Sequence, residues 1–168
     1  MKIIDFLFTS LTWVSILAQI VLTYTLWENY YDILGLVITG YVLWGFSIIF
    51  GVIPIITFRR KGGVPEKSSY IATTELVDKG LYAIVRHPQY LAGVFWSLAL
   101  VFISQYWVVD ILCVPVIVST YVDSLKANKN LVEKFGEVYI EYMKRVPGLN
   151  VLWGILKLLI RKLKGNKD

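Results

Sequence analysis

The sequence predicts an all-α integral membrane protein with about four transmembrane helices. They include a helical hairpin in the C-terminal half, and cytoplasmic and interfacial amphipathic helices complete the chain. Two observations carry this. Of 168 residues 57% are hydrophobic, with mean hydropathy +0.62, well above a soluble domain. The positive charges, in turn, fall only where four crossings would leave them on one side.

A helix needs roughly 20 apolar residues to cross the hydrocarbon core. Residues 6–27 and 34–57 are uncharged and long enough, and they define the first two spans. Lys2 ahead of the first run resembles the start of a secretory signal, but the run is long and no small-residue cleavage site follows, so it is read as a retained helix. Residues 91–122 are too long for one crossing and are interrupted by Ser104-Gln105-Tyr106-Trp107 and Asp110. A hairpin over residues 90–123 accommodates them, its first arm short and spanning barely or at a tilt.

The 17 Lys and Arg residues lie at Lys2, between Arg59 and Arg86, and from Lys126 onward. The 28–33 connection and the 104–107 turn carry none, and Glu28, Asp32 and Asp110 lie there or nearby. The positive-inside rule then makes this a multi-pass protein with both termini cytoplasmic. A net charge of +5 beside apolar spans points to anionic lipid, not nucleic acid. One cysteine and one histidine exclude a disulfide framework and a Cys-based metal site, and no metal is expected.

Residues 58–89 form a polar cytoplasmic connection holding Gly62-Gly63, Pro65 and Gly80. A loop that long in so small a protein is functional or disordered, and Tyr70, Leu76, Leu81, Tyr82 and Ile84 argue for order. After the hairpin, residues 128–147 predict a cytoplasmic helical segment. There Leu131, Phe135, Val138 and Tyr142 recur at helical spacing, and Pro147 and Gly148 end it. Residues 150–164 set Leu152, Ile155, Leu156, Leu159 and Leu163 opposite Lys157, Arg161 and Lys164, the pattern of a helix in the headgroup layer. A partner-binding helix would carry the same pattern.

The chemical signature is Arg86-His87-Pro88-Gln89-Tyr90. Taken alone, it also describes a helix start at a membrane surface: Arg near phosphate, Pro at the first helical position, His a bystander. A second cluster after the hairpin changes that balance: Phe135-Gly136-Glu137-Val138-Tyr139-Ile140-Glu141-Tyr142-Met143-Lys144-Arg145-Val146-Pro147. With Gly80-Leu81-Tyr82 and Phe95-Trp96-Ser97, these motifs resemble the isoprenylcysteine carboxyl methyltransferase family and its relatives among the membrane phospholipid methyltransferases. The likeness covers about residues 75–150.

The resemblance implies an S-adenosylmethionine-dependent membrane methyltransferase, its cofactor enclosed by the loop before the hairpin and the segment after it. The lipophilic methyl acceptor would enter from the bilayer. Gly80, Tyr82, Arg86, His87, Pro88, Tyr90, Tyr139 and Tyr142 would form the cofactor site, and Arg86 and Arg145 would hold an acceptor carboxylate. The chain departs from the family at an acidic pair, which is here Ala127-Asn128. Asn128 can accept a hydrogen bond but cannot neutralise a cation, and Asp123, one helical turn before Ala127, is the alternative carboxylate. Three other readings remain: a phospholipid or other small-molecule methyltransferase, an NADPH-dependent membrane reductase relative with a similar Arg-His-Pro segment, and a family member without catalysis.

Overall fold

The computed structural model describes residues 3–25 and 33–165. The connection bearing Glu28 and Asp32, Lys2 and tail residues 166–168 lie outside the described residues. The described chain is all-helical: α1 (Ile3–Thr25), α2 (Leu34–Lys61), α3 (Pro88–Ser104), α4 (Trp107–Phe135), α5 (Glu137–Arg145) and α6 (Val151–Gly165), with a 3₁₀ turn at Gly80–Ala83. Three helices, α1, α2 and α4, are long and apolar enough to cross a membrane; α3, the short arm of the hairpin, has 17 residues.

Two helices run past the limits their apolar stretches suggest. α2 continues through Phe58–Lys61, which the hydropathy pattern assigns to the loop. α4 extends unbroken from Trp107 to Phe135, joining the second hairpin arm to the start of the expected cytoplasmic segment. Nothing between Thr120 and Phe135 breaks a helix, so backbone hydrogen bonding carries it past the end of the apolar run. Gly136, at φ 60°, ends α4. That break also shifts the helical phase. The continuous spacing places Val138 inward, but Val138 is 62% exposed and Tyr139 is 1% exposed.

The described residues pack as two compact units, residues 3–25 and 33–49 with 91–123, and residues 50–90 with 124–165. In the first unit, α1 is built polar side in. Ser15, Gln19 and Thr23 are buried, whereas Leu11, Val14, Leu17 and Val21 are exposed. Ser97 Oγ donates to Gln19 Oε1 at 2.7 Å, and Gln19 Nε2 donates to the Val109 carbonyl at 3.0 Å. Thr12 Oγ1 donates to Ser119 Oγ at 2.7 Å. Where lipid is as apolar as leucine, such interhelical hydrogen bonds hold helices together. α2 meets α3 at Gly40, where a Cβ would fall 2.9 Å from the Ala99 carbonyl. At the hairpin tip, Gln105 takes φ 51°, and its side-chain amide both accepts from the Ile33 N–H and donates to the Ile33 carbonyl.

The second unit holds the ends of α2 and α4, the 62–79 loop, the 3₁₀ turn, α5 and α6. Both His87 and Val146 precede prolines, which biases them to extended backbone. Two hydrogen bonds then pair these segments: Arg86 N–H to the Pro147 carbonyl at 3.0 Å and His87 N–H to the Gly148 carbonyl at 3.2 Å. Helix α6 turns two of its cations inward. Arg161 Nη2 donates to the Ala83 carbonyl at 2.8 Å and Lys157 Nζ to the Lys144 carbonyl at 3.1 Å, leaving Leu152, Leu156, Leu159 and Leu163 exposed.

Gly154 lets α6 approach: a Cβ there would collide with the Ile84 carbonyl oxygen. Gly154→Ala is expected to lower the thermal midpoint in detergent by several degrees and to speed amide exchange in α6. Unchanged exchange would show that α6 is not packed on this carbonyl.

Candidate active site

The motif Arg86 to Tyr90 sits where the irregular loop becomes helix. Pro88 is the first residue of α3, a position that needs no backbone N–H. Gly80, at φ 65°, opens the 3₁₀ turn that carries Tyr82 inward. From the other side, α5 presents Tyr139 and Tyr142, three residues apart on one face and both buried. These elements meet on the end of α4, which supplies Asn128, Leu131 and Phe135.

The centre of the arrangement is the Asn128 side-chain oxygen. Arg86 Nη1 donates to it at 2.8 Å, Tyr139 Oη at 2.9 Å, and His87 Nε2 lies 2.8 Å away. A guanidinium has no acceptor, so the Asn128 atom facing it must be oxygen, and oxygen accepts only. His87 Nε2 must therefore carry its proton, which leaves Nδ1 with the lone pair. Burial of the ring lowers the His87 pKa to about 4, and the neighbouring Arg86 charge acts the same way, outweighing the opposing Asn128 bond. His87 is neutral at physiological pH.

Beside this hub lies a cavity of about 40 Å³, lined by Arg86 together with Tyr82, Tyr139 and Tyr142. Phe58, Leu131 and Phe135 supply apolar wall, and Thr73, Glu75, Leu76 and Val77 come from the loop. The Phe58 ring stacks on Tyr82 with centroids 4.8 Å apart. Tyr142 Oη donates to the Tyr82 carbonyl at 2.6 Å, tying α5 to the 3₁₀ turn. Burial pushes all three phenols up, so none ionises near neutrality. Arg86 Nε is buried without a hydrogen-bond partner. A buried donor left without a partner is costly, and the guanidinium that carries it lines the cavity.

Not every residue singled out in the sequence lines this cavity. His87 and Asn128 stand behind Arg86, Pro88 starts α3, and Gly80 shapes backbone. The Tyr90 ring lies against His87 at 5.5 Å. Arg145 is half-exposed and pairs with Asp78 at 3.6 Å, while Asp123 falls in the first unit. The loop residues Thr73 and Glu75 and the aromatic Phe58 were not singled out. They lie outside any motif, and only the folding of the loop across the helix ends brings them in.

The profile of the family described as phospholipid methyltransferase matches residues 35–136, more than half of the chain. The chain belongs to that family. The match takes in the Arg86 motif, the hairpin and Asn128, and stops short of Tyr139, Tyr142 and Arg145. With its long apolar helices, the family makes this a membrane protein. Three curated proteins are similar, each named Protein-S-isoprenylcysteine O-methyltransferase. The mouse protein is 34% identical over 89 residues, the human protein 33% over 93, and the rat protein 34% over 89. In each case the match covers 49% of this chain and 30% of the relative, so the chain spans less than a third of those proteins. No solved structure matches.

Replacing Asn128 by Leu leaves three buried donors without an acceptor and should cost about 3 kcal/mol or more; a loss under ~1 kcal/mol would contradict the hub. The unfolded chain takes up a proton at His87 near pH 6.5 and the folded chain only near pH 4. The stability this neutral ring contributes is therefore present above pH 6.5 and lost as pH falls towards 4. Asn128→Asp places a carboxylate beside the ring, raises its pKa and shrinks that acid-side loss, which denaturant titrations from pH 7 to 4 would show.

Proposed function

We propose that this protein transfers a methyl group from S-adenosylmethionine to a lipophilic acceptor that reaches the site from the bilayer and presents a carboxylate. The observation that carries the reading is Arg86, a cation with an unpartnered buried Nε that lines a small cavity walled by Tyr82, Tyr139 and Tyr142, in a chain of this family. The residues fit the cofactor. Arg86 suits its carboxylate as a planar donor, and the tyrosines with Phe58 suit its apolar and aromatic parts. When bound, it supplies a methyl carbon made electrophilic by a sulfonium.

The side chains favour a carboxylate over an amine as acceptor. Forming a carbon–oxygen bond from an ionised carboxylate requires no proton removal, so alignment and exclusion of water suffice. An amine would have to surrender a proton. Here the phenols are held above their ordinary range, and His87 is a weak base with its Nε2 proton committed to Asn128. Arg145 is the cation left for the acceptor. Its 3.6 Å pair with Asp78 is half-exposed, and exposed pairs are weak enough to yield. Both termini lie on the cytoplasmic side, as does the site, and the exposed leucines of α6 rest in the lipid interface.

Calorimetry on the purified full chain in detergent should record heat with S-adenosylmethionine and none with NADPH. With labelled methyl donor, a prenylated cysteine bearing a free carboxylate should gain a base-labile ester. Silence with both compounds would overturn the reading in favour of a non-catalytic member, and heat with NADPH alone would favour the reductase. Label on an aminophospholipid in place of the ester would overturn the acceptor class. Arg86→Ala should weaken cofactor binding about 10- to 100-fold. Arg145→Ala should raise KM for the acceptor and leave cofactor binding unchanged.

A further inference from the structure

We infer that Glu75 is the acidic residue of the cofactor site, pairing with the ammonium of the methyl donor's amino-acid end while Arg86 takes its carboxylate. The inference rests on the S-adenosylmethionine reading above. It assigns the role that the Ala127-Asn128 substitution leaves vacant to a residue from a different element, the loop between α2 and the 3₁₀ turn.

Of the residues lining the 40 Å³ cavity, only Arg86 and Glu75 carry opposite full charges, and they form no ion pair with each other. Among the described residues the exposed Glu75 carboxylate has no hydrogen-bond or ion-pair partner, and the buried Arg86 Nε has none either. A cation and an anion left apart on the wall of one cavity match a zwitterion, which presents both complementary charges at once. The size agrees. At about 10–15 Å³ per water-sized centre, such a cavity takes about three small groups: an amino-acid head, not a whole nucleoside.

The loop fixes Glu75 there. Its backbone N–H donates to the Gly62 carbonyl at 3.1 Å, beside Thr74, whose N–H donates to the same oxygen at 2.8 Å. Gly63, at φ 58°, gives the side chain room: a Cβ at that position would lie 3.2 Å from Glu75 Cγ. On its other side, Glu75 together with Leu76 and Val77 also lines an open cleft of about 410 Å³ that reaches Lys61 and Lys79. Glu75 thus stands between a small space of amino-acid size and a larger one in the range of ligand pockets. The adenosyl part can lie outward of it.

Binding by the full chain in detergent tests this with three probes: S-adenosylmethionine, its analogue lacking the α-ammonium, and its analogue lacking the carboxylate. Glu75→Gln should weaken binding of S-adenosylmethionine about tenfold or more and abolish the preference for it over the analogue without ammonium. It should weaken the decarboxylated analogue as well, whereas Arg86→Ala should no longer affect that probe. Glu66→Gln, the same change on another carboxylate of this loop, should leave all three unchanged, and equal thermal midpoints establish that the variants are folded. If the unaltered protein binds S-adenosylmethionine and Glu75→Gln binds it equally well, the assignment of Glu75 is wrong and the cofactor reading stands. If the unaltered protein does not bind it, the cofactor reading fails and this inference fails with it.

Discussion

Everything at this site depends on one oxygen. Asn128 Oδ1 gathers a guanidinium, an imidazole and a phenol, from the loop before α3 and from α5, onto the end of α4. A neutral amide does this differently from a carboxylate. It satisfies the donors without cancelling the charge, so Arg86 keeps a positive field towards the cavity and the His87 ring stays unprotonated. A carboxylate at this position would hold the same donors and quench the field. The consequence is a cationic site whose counter-charge must come from a ligand or from another part of the chain.

The rest of the second unit keeps that oxygen and its donors in register. The backbone bonds from Arg86 and His87 to Pro147 and Gly148 align the two motifs, and Tyr142 ties α5 to the turn that carries Tyr82. Arg161 and Gly154 of α6 hold the same turn from behind, at Ala83 and Ile84. The first unit follows a different logic. Its α1 hides Gln19, Ser15 and Thr23 and exposes leucine and valine, as expected of a helix whose solvent is hydrocarbon and whose specific contacts are hydrogen bonds.

Much of this could be read from the sequence, because the bilayer imposes length and charge rules that act on contiguous residues. The apolar runs gave α1, α2 and the hairpin, and the two motifs flanking that hairpin do meet in space. What stayed hidden depends on phase and on folding across distance. Gly136 resets the helical phase, so Tyr139 and not Val138 is buried. The amphipathic pattern of α6 shows two faces but not which one meets protein, and here it is the one bearing Lys157 and Arg161. Glu75 belongs to no motif; it is an exposed glutamate in a polar loop, and only the bend of that loop at Gly62 and Gly63 brings it to the rim of the cavity. Arg145, read as half of an arginine pair, also pairs with Asp78, a contact no spacing rule reveals.

The central claim is that Asn128 Oδ1 accepts a hydrogen bond from His87 Nε2–H, and the chain has a single histidine, so one nitrogen-15 NMR spectrum of the imidazole tests it directly. In detergent between pH 8 and about 5, His87 should remain neutral, with the proton on Nε2 and Nδ1 bare. An Nδ1–H tautomer, or an imidazolium at pH 6, would contradict the account.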